Sequence, residues 1–473
     1  MQKQFSRNIL FLLLINLLIK PLYVLFIDAE VQNRVGHQEY GTYFALFNFA
    51  FLFQIVLDMG IQNYNSKTIS QNRARVAEHF PLVIGAKFIL AVVFLMAIAL
   101  LGFLVGYPHR YFPILLSVGV VMILQSFYVY LRSHFSALGE FRKETWLSAL
   151  DKLLMLLLLG YFLYVQNEID IPKFILGQGL ALGMAIGVAV VLLAKRFSFR
   201  VELSWSKSRS LVKQSFPFAI VFILMTLYTR MDGVMLERLL DDNGLSAGIY
   251  ANGYRLLDAV NVLGYLFAVL LLPMFANLIG DKSDVTQLTK TATGVLLTLS
   301  TIISALCWFY ASDIMHFVYD QITDENIQVF RLLMLSFWFM SMSYIYGSLI
   351  TASGRLRTFN FIFLIGIIVN WLLNLWLIPS QAAIGAAIAT LITQAFVFCG
   401  QLILAISRFK LRFGSSYILK AFLFVGLSIG IIYLIAKNVA LLWIFEAIIS
   451  GLSVLLISFL MGFFRLSLVK GFD

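Results

Sequence analysis

The chain has 473 residues, of which 61% are hydrophobic and only 12% are charged, and its mean hydropathy is +0.90. Soluble globular proteins carry about 25% charged residues, so this composition excludes an ordinary water-soluble fold and indicates a membrane protein. The formal net charge is +11, but Lys and Arg are scattered over many short loops, which excludes a concentrated nucleic-acid-binding patch.

Apolar runs follow one another along the whole chain, each close to the length of about 20 residues that an α-helix needs to cross a bilayer. Hydrophobic and polar residues do not alternate with period two within the runs, which favours helices over a β-barrel. The sequence therefore predicts an all-α membrane protein with about 14 transmembrane helices. In chain order, the predicted spans are 8–28, 40–64, 81–106, 111–137, 145–165, 173–195, 214–239, 248–276, 291–312, 327–350, 358–378, 382–406, 416–436 and 440–464.

Basic residues concentrate in alternate gaps between the spans. One set of gaps holds most of the Lys and Arg, including Arg73, Arg142, Arg209 and Arg355. The opposite set is mainly acidic. The positive-inside rule places the basic gaps and both termini in the cytoplasm.

Short patterns recur about 210 residues apart. Ala137-Leu-Gly-Glu-Phe-Arg142 ends span 4, and Ala352-Ser-Gly-Arg-Leu-Arg357 ends span 10. Their common order with other matches predicts two repeated six-helix lobes, 1–196 and 214–408. Helices 13 and 14 occupy 409–473, outside the repeat.

The predicted cytoplasmic linker between the lobes, 197–213, is basic. It carries Trp205 together with Lys207, Arg209 and Lys213. This pattern is suited to an anionic inner leaflet, and it is equally typical of an ordinary positive-inside loop.

Cations inside the spans are the strongest candidates for substrate binding, because each costs roughly 2.5–3.5 kcal/mol to insert. Lys20 lies deep in span 1, with Asn16 four residues earlier on the same helix face. Arg230 lies in span 7 and Arg255 in span 8. Since the repeat relates spans 1 and 2 to spans 7 and 8, we expect the three cations to converge on one cavity between the lobes.

Carboxylates near these cations are candidates for coupling ions or for pairing. Asp232 accompanies Arg230, and Asp258 lies three residues after Arg255 on one helix face. Asp28 is the last residue of span 1. Arg255 and Asp258 also fit a structural ion pair.

Four charges nearer the cytoplasmic end are more typical of gate or interface pairs, and these are Asp58, Arg132, Asp151 and Lys152. The five histidines are dispersed and lack metal-ligand spacing, so no metal site is predicted.

Several motifs resemble the oligosaccharide flippases of polysaccharide biosynthesis, the O-antigen and capsule type. This family belongs to the superfamily that also holds multidrug exporters and the lipid II flippase. The motifs are Gly36-x3-Tyr40-Gly41-x-Tyr43, Asp58-Met-Gly60-Ile, Tyr228-Thr-Arg-Met-Asp232, Asn370-x3-Asn374-x-Trp376-Leu-Ile-Pro379 and Ile384-Gly-Ala-Ala-Ile-Ala-Thr390.

The resemblance implies a bacterial inner-membrane transporter rather than an enzyme. Such a protein would move a polyprenyl-pyrophosphate-linked oligosaccharide to the outer leaflet by alternating access, for cell-surface polysaccharides such as the O-antigen of lipopolysaccharide. Its partners would be the lipid-linked oligosaccharide, the bilayer and the polysaccharide polymerase machinery, with no nucleic acid. It would need no cofactor, and a proton, a sodium ion or the membrane potential would drive transport.

Two other functions fit parts of the sequence. A cation-coupled multidrug exporter has the same architecture, but it would favour an acidic, aromatic cavity. An integral-membrane glycosyl transferase or polymerase would be expected to carry a large outer domain, whereas every predicted outer loop is short.

Overall fold

A computed structural model of the protein describes residues 17–61, 76–138, 140–194, 201–216, 219–354, 356–439 and 441–463. The regular secondary structure of these residues is helical throughout, which confirms the predicted all-α class. Residues 17–23 are helical and continue through the π-helical turn Val24–Asp28. The α-helices that follow are α1 Ala29–Leu52, α2 Val76–Leu104, α3 Phe112–Ala137, α4 Phe141–Gly160, α5 Ile171–Ala194, α6 Trp205–Ser215, α7 Ala219–Leu239, α8 Leu245–Gly280, α9 Thr286–Phe309, α10 Ala311–Val318, α11 Asp324–Ala352, α12 Leu356–Phe409, α13 Ser415–Asn438 and α14 Trp443–Met461.

The predicted spans are mostly helical over their described residues. Ten helical segments in the described part are long and apolar enough to cross a bilayer, so the chain is a multi-pass membrane protein. One of them, Arg357–Phe409, contains two predicted spans. Helices α1 and α7 are not among the ten.

Two helices contain a break that reverses the chain. In α1 the break is at Gly36, whose φ of 79° and ψ of 169° suit a residue without a Cβ. The Tyr40 hydroxyl donates to the Asp28 carboxylate at 2.7 Å, although residues twelve apart in a straight helix lie about 18 Å apart. The break therefore ends the first predicted span and begins the second, at a point inside the predicted gap.

The second break lies in α12, at Ala382, which has a φ of 47° and follows Pro379. A Cβ on Gly385 would overlap the carbonyl group of Leu377, so the chain folds back on itself within a few residues. This places the reversal between predicted spans 11 and 12.

The chain divides into two compact units, Met1–Gly248 and Ile249–Asp473. In the first unit α5 packs against α3 and α4, α1 packs against α7 and α3, and the short α6 packs against α2. In the second unit α11 packs against α12 and α9, and α13 packs against α14 and α9. The predicted lobe boundaries at 196 and 214 come from the sequence repeat and stay predictions.

Candidate functional site

Lys20 is half-buried in the first unit, on the helical segment that precedes α1. Four charged side chains lie close enough to act on it electrostatically: Arg132 of α3, and Glu144, Asp151 and Lys152 of α4. With three cations and two carboxylates, the group is net positive. We call these five residues the charged cluster.

The helical hairpin formed by α3 and α4 positions most of this cluster. Helix α3 ends at Ala137 and α4 begins at Phe141, so the end of one helix lies beside the start of the next. As a result, Arg132 and Glu144 form an ion pair with an Nη2–Oε1 distance of 2.6 Å. The Lys152 Nζ lies 4.5 Å from the centre of the Tyr23 ring.

Part of the polar surface of the cluster has no partner among the described residues. The Arg132 Nε and the Asp151 Oδ1 are buried and have no hydrogen-bond partner among the described residues. No carboxylate of the described residues lies within 4.0 Å of the Lys20 Nζ. Buried polar groups are normally satisfied, so these groups are suited to contacts with a polar ligand.

Asp28 ends the π-helical turn and is buried. Its carboxylate accepts hydrogen bonds from the Gln32 amide at 2.8 Å and from the Tyr40 hydroxyl at 2.7 Å. Short π-helical turns occur often at functional sites. Both of these donors are neutral, and a role of Asp28 in ion coupling stays a prediction.

An ion pair joins Lys87, which is buried in α2, to the half-buried Asp58 in the turn that follows α1. The Lys87 side chain is 1% exposed, and its Nζ lies 3.6 Å from the Asp58 carboxylate. It also donates to the Leu57 carbonyl at 3.1 Å and to the Ser126 hydroxyl at 2.7 Å. Our sequence reasoning missed Lys87, although a lone lysine inside an apolar run is a signal that could have identified it.

Two glycine contacts join α1 to the start of α8. A Cβ on Gly41 would overlap the backbone of Gly244, and a Cβ on Gly248 would overlap the backbone of His37. We call these contacts the outer closure, because the sequence predicts this end to face outward. The backbones approach closely there because neither glycine carries a side chain.

The end of α7 is fixed by Arg238. Its guanidinium forms two hydrogen bonds of 2.6 Å with Glu237, lies 4.4 Å from the centre of the Tyr107 ring and donates to the Gly106 carbonyl at 3.3 Å. These contacts attach α7 to the loop that follows α2. The sequence reasoning counted Arg238 only as a loop charge.

The predicted cations of α7 and α8 lie in different surroundings from Lys20. The Arg230 guanidinium lies 4.8 Å from the centre of the Phe51 ring, and Asp232 is buried. Arg255 and Asp258 are half-buried in the second unit. Asp258 is close enough to act on Tyr344 electrostatically.

One predicted residue, Asn16, lies outside the described residues. The convergence of Lys20, Arg230 and Arg255 on one cavity stays a prediction. Within the described part of the chain, no group of three His, Cys, Asp or Glu residues could hold a metal ion.

The most specific sequence motif forms a buried polar row in α12. The Asn374 amide donates to the Asn370 side chain at 3.1 Å, and both side chains are buried. The Thr390 hydroxyl lies 3.0 Å from that of Tyr250.

Comparison with known proteins identifies the family. A family model described as polysaccharide biosynthesis protein matches residues 5–279, which is more than half of the chain. The chain belongs to the polysaccharide biosynthesis protein family. This confirms the resemblance seen in the motifs. A second model, MatE, matches residues 217–376.

A curated relative is an uncharacterized membrane protein of Methanocaldococcus jannaschii, which is 26% identical over 192 residues. The match covers 40% of this chain and 44% of that protein, so the chain spans less than half the length of this relative.

Solved structures share the fold. The lipid II flippase MurJ in an inward closed conformation is similar with a TM-score of 0.69 and 16% identity, covering 97% of both chains. The MATE transporter VcmN of Vibrio cholerae, solved as a point mutant, has a TM-score of 0.60 and 18% identity, covering 86% of this chain and 97% of that one. A MOP superfamily transporter of Pyrococcus furiosus has a TM-score of 0.60 and 11% identity, with 86% and 96% covered.

Proposed function

We propose that this protein is a flippase that moves a polyprenyl-pyrophosphate-linked oligosaccharide from the inner to the outer leaflet, for cell-surface polysaccharide synthesis. Family membership and the shared fold support a transporter of this superfamily. The observation that carries the proposal is the net positive charged cluster around Lys20.

A pyrophosphate is bound best by several cationic donors. Arg132 presents a planar fork, part of which already pairs with Glu144, while its buried Nε has no hydrogen-bond partner among the described residues. Lys20 and Lys152 supply point charges, which are suited to a headgroup that has to bind and then leave. The lipid tail would stay in the bilayer, so the protein has to lower only the free-energy barrier to moving the pyrophosphate and the sugars across the membrane.

Alternating access requires that one end of the transporter closes while the other opens. The outer closure at Gly41 and Gly248 supports a conformation that is shut at the predicted outer end. In that conformation a headgroup at Lys20 would be reached from the inner leaflet. We further propose that the protein lies in the bacterial inner membrane with both termini in the cytoplasm.

The energy source belongs to the same proposal. An outward-moving anionic headgroup can be driven by the membrane potential alone. Coupling to a proton or a sodium ion would instead need a carboxylate that exchanges its cation, for which Asp28, Asp232 and Asp258 are the candidates. A polysaccharide polymerase would use the exported lipid-linked oligosaccharide.

A cation-coupled multidrug exporter is the second candidate. The match of the MatE model to residues 217–376 favours it. The charged cluster argues against it, because a net positive site repels cationic drugs.

Reconstituted vesicles separate the two functions. The full chain should transfer a fluorescent polyprenyl-pyrophosphate oligosaccharide between leaflets, measured by its accessibility to a membrane-impermeant glycosidase. Lys20→Ala and Lys152→Ala should slow this transfer at normal protein levels, while Lys20→Arg should retain more activity. Lys437→Ala is the control, because Lys437 is an exposed cation at the end of α13.

Two results would reject the flippase. One is ethidium efflux by the wild type without transfer of the lipid-linked sugar. The other is wild-type transfer by Lys20→Ala, Lys152→Ala and their double variant.

A further inference from the structure

The segment between α5 and α7 contains an ordered helix fixed to the protein. The Ser204 hydroxyl caps α6 by accepting from the Lys207 amide. The Glu202 amide donates to the Pro81 carbonyl at 3.1 Å, and a Cβ on Gly85 would overlap the Glu202 carbonyl. The segment therefore has a defined position on the protein and is not a loose loop.

This attachment places α6 at a membrane boundary. Pro81 and Gly85 belong to the first turns of the membrane-spanning segment Phe80–Leu104. A helix held at the end of a span lies at the level of the lipid headgroups. The basic residues predicted on the same side of the membrane place that level in the cytoplasmic leaflet.

Two faces of α6 have different roles. Ser208, Leu211 and Ser215 are buried, so this side packs against the protein. Trp205, Arg209 and Lys213 are spaced four residues apart and form one exposed stripe. The Lys207 ammonium pairs with Glu202 at 2.5 Å, which leaves the positive charge of Arg209 and Lys213 to dominate the stripe.

Two apolar residues at the start of α6, Trp205 of the stripe and Leu203 just before the helix, are strongly exposed. Leu203 is 70% exposed and Trp205 is 67% exposed. In water such exposure would be unfavourable, whereas Trp and Leu beside Lys and Arg are typical of helices that lie in the membrane interface.

We propose that α6 binds the anionic phospholipids of the cytoplasmic leaflet through the stripe Trp205, Arg209 and Lys213. Trp205 lies at the boundary of the acyl chains, and the two cations contact lipid phosphates. The occupant is the lipid bilayer around the protein, because its negative charge complements the stripe and its apolar region receives Trp205. This inference does not depend on which substrate is transported.

The test uses the full chain without its native cysteines, carrying a fluorophore on Ser206→Cys, in nanodiscs. The readout compares quenching by brominated phosphatidylglycerol with quenching by brominated phosphatidylcholine at equal mole fraction. We expect stronger quenching by phosphatidylglycerol, weakened by salt. In Arg209→Gln/Lys213→Gln the preference for the anionic lipid should fall by about 5-fold for each cation removed.

The matched control is Lys410→Gln/Arg412→Gln, which removes two cations from another predicted cytoplasmic loop and should leave the preference unchanged. Trp205→Ala should weaken quenching by both lipids. Equal quenching by the two lipids in the wild type would overturn the proposal. So would the absence of quenching by both lipids, which would point to a soluble protein or nucleic acid as partner. Elution volume and melting temperature confirm that each variant is folded.

Discussion

The glycine contacts of the outer closure should control the balance between two conformations. In Gly41→Ala the new methyl group would meet the backbone of Gly244, which has no flexible side chain that could move aside. Overpacking of this kind typically costs about 1–3 kcal/mol. Because the cost falls only on the closed state, it should shift the population towards the open state by roughly 5- to 150-fold.

Cysteine accessibility measures this shift. Ser246 is buried at the start of α8, beside the closure, so Ser246→Cys should react slowly with an impermeant thiol reagent in the closed state. Adding Gly41→Ala should accelerate the reaction of this cysteine by roughly 5- to 150-fold, in line with the population shift. Gly183→Ala is the control, because it makes the same change in α5, where a Cβ would meet nothing within 4 Å.

The control also removes the effect of helix propensity. Replacing glycine by alanine inside a helix stabilises it by about 0.5–1 kcal/mol wherever there is space. Folded Gly41→Ala protein that reacts at the control rate would refute the closure argument. Loss of folded protein in Gly41→Ala but not in Gly183→Ala would show instead that both conformations need the contact.

Three other variants test separate parts of the structure. Asp58→Asn should destabilise the protein by about 1.5–3 kcal/mol, because Lys87 keeps its neutral acceptors but loses its carboxylate partner. The measurement is a lower melting temperature. Replacing Lys87 by Met in the Asp58→Asn protein should restore much of the lost stability, and no recovery would refute the pairing. If Arg255 contacts substrate, the double variant Arg255→Ala/Asp258→Asn should be folded but inactive in transport. If the double variant instead recovers both abundance and transport relative to the two single variants, the two residues have a structural role. Glu168→Cys in a cysteine-free chain should react with an impermeant reagent added outside intact cells, and protection of that cysteine would contradict the predicted topology.

The helices could be predicted from the sequence because the bilayer imposes a local, one-dimensional rule on length and hydropathy. The same rule does not predict where a helix ends, because a helix can continue past the membrane boundary into the predicted gap. The Glu30–Arg34 ion pair, at 2.7 Å, lies in α1 within a predicted gap, and the chain reverses only at Gly36. Glycine at that position was visible in the sequence, but its backbone conformation depends on tertiary contacts.

The site was predictable only in part. Lys20 was identified by its depth in a span, which is a property of sequence. Its neighbours Arg132 and Lys152 were assigned to gates, because periodicity does not tell which helices pack together. The position of Lys87 inside an apolar run was visible in the sequence, but its pairing with Asp58, 29 positions earlier in the chain, was not.

The sharp reversal at Ala382 has a practical consequence for anyone who modifies this protein. Two spans meet there with almost no connecting residues, and the Leu377 carbonyl already lies against Gly385. An epitope tag or fluorescent reporter inserted at this turn would force the two halves of α12 apart. The exposed turn at 281–283, between α8 and α9, is a better position for such an insertion.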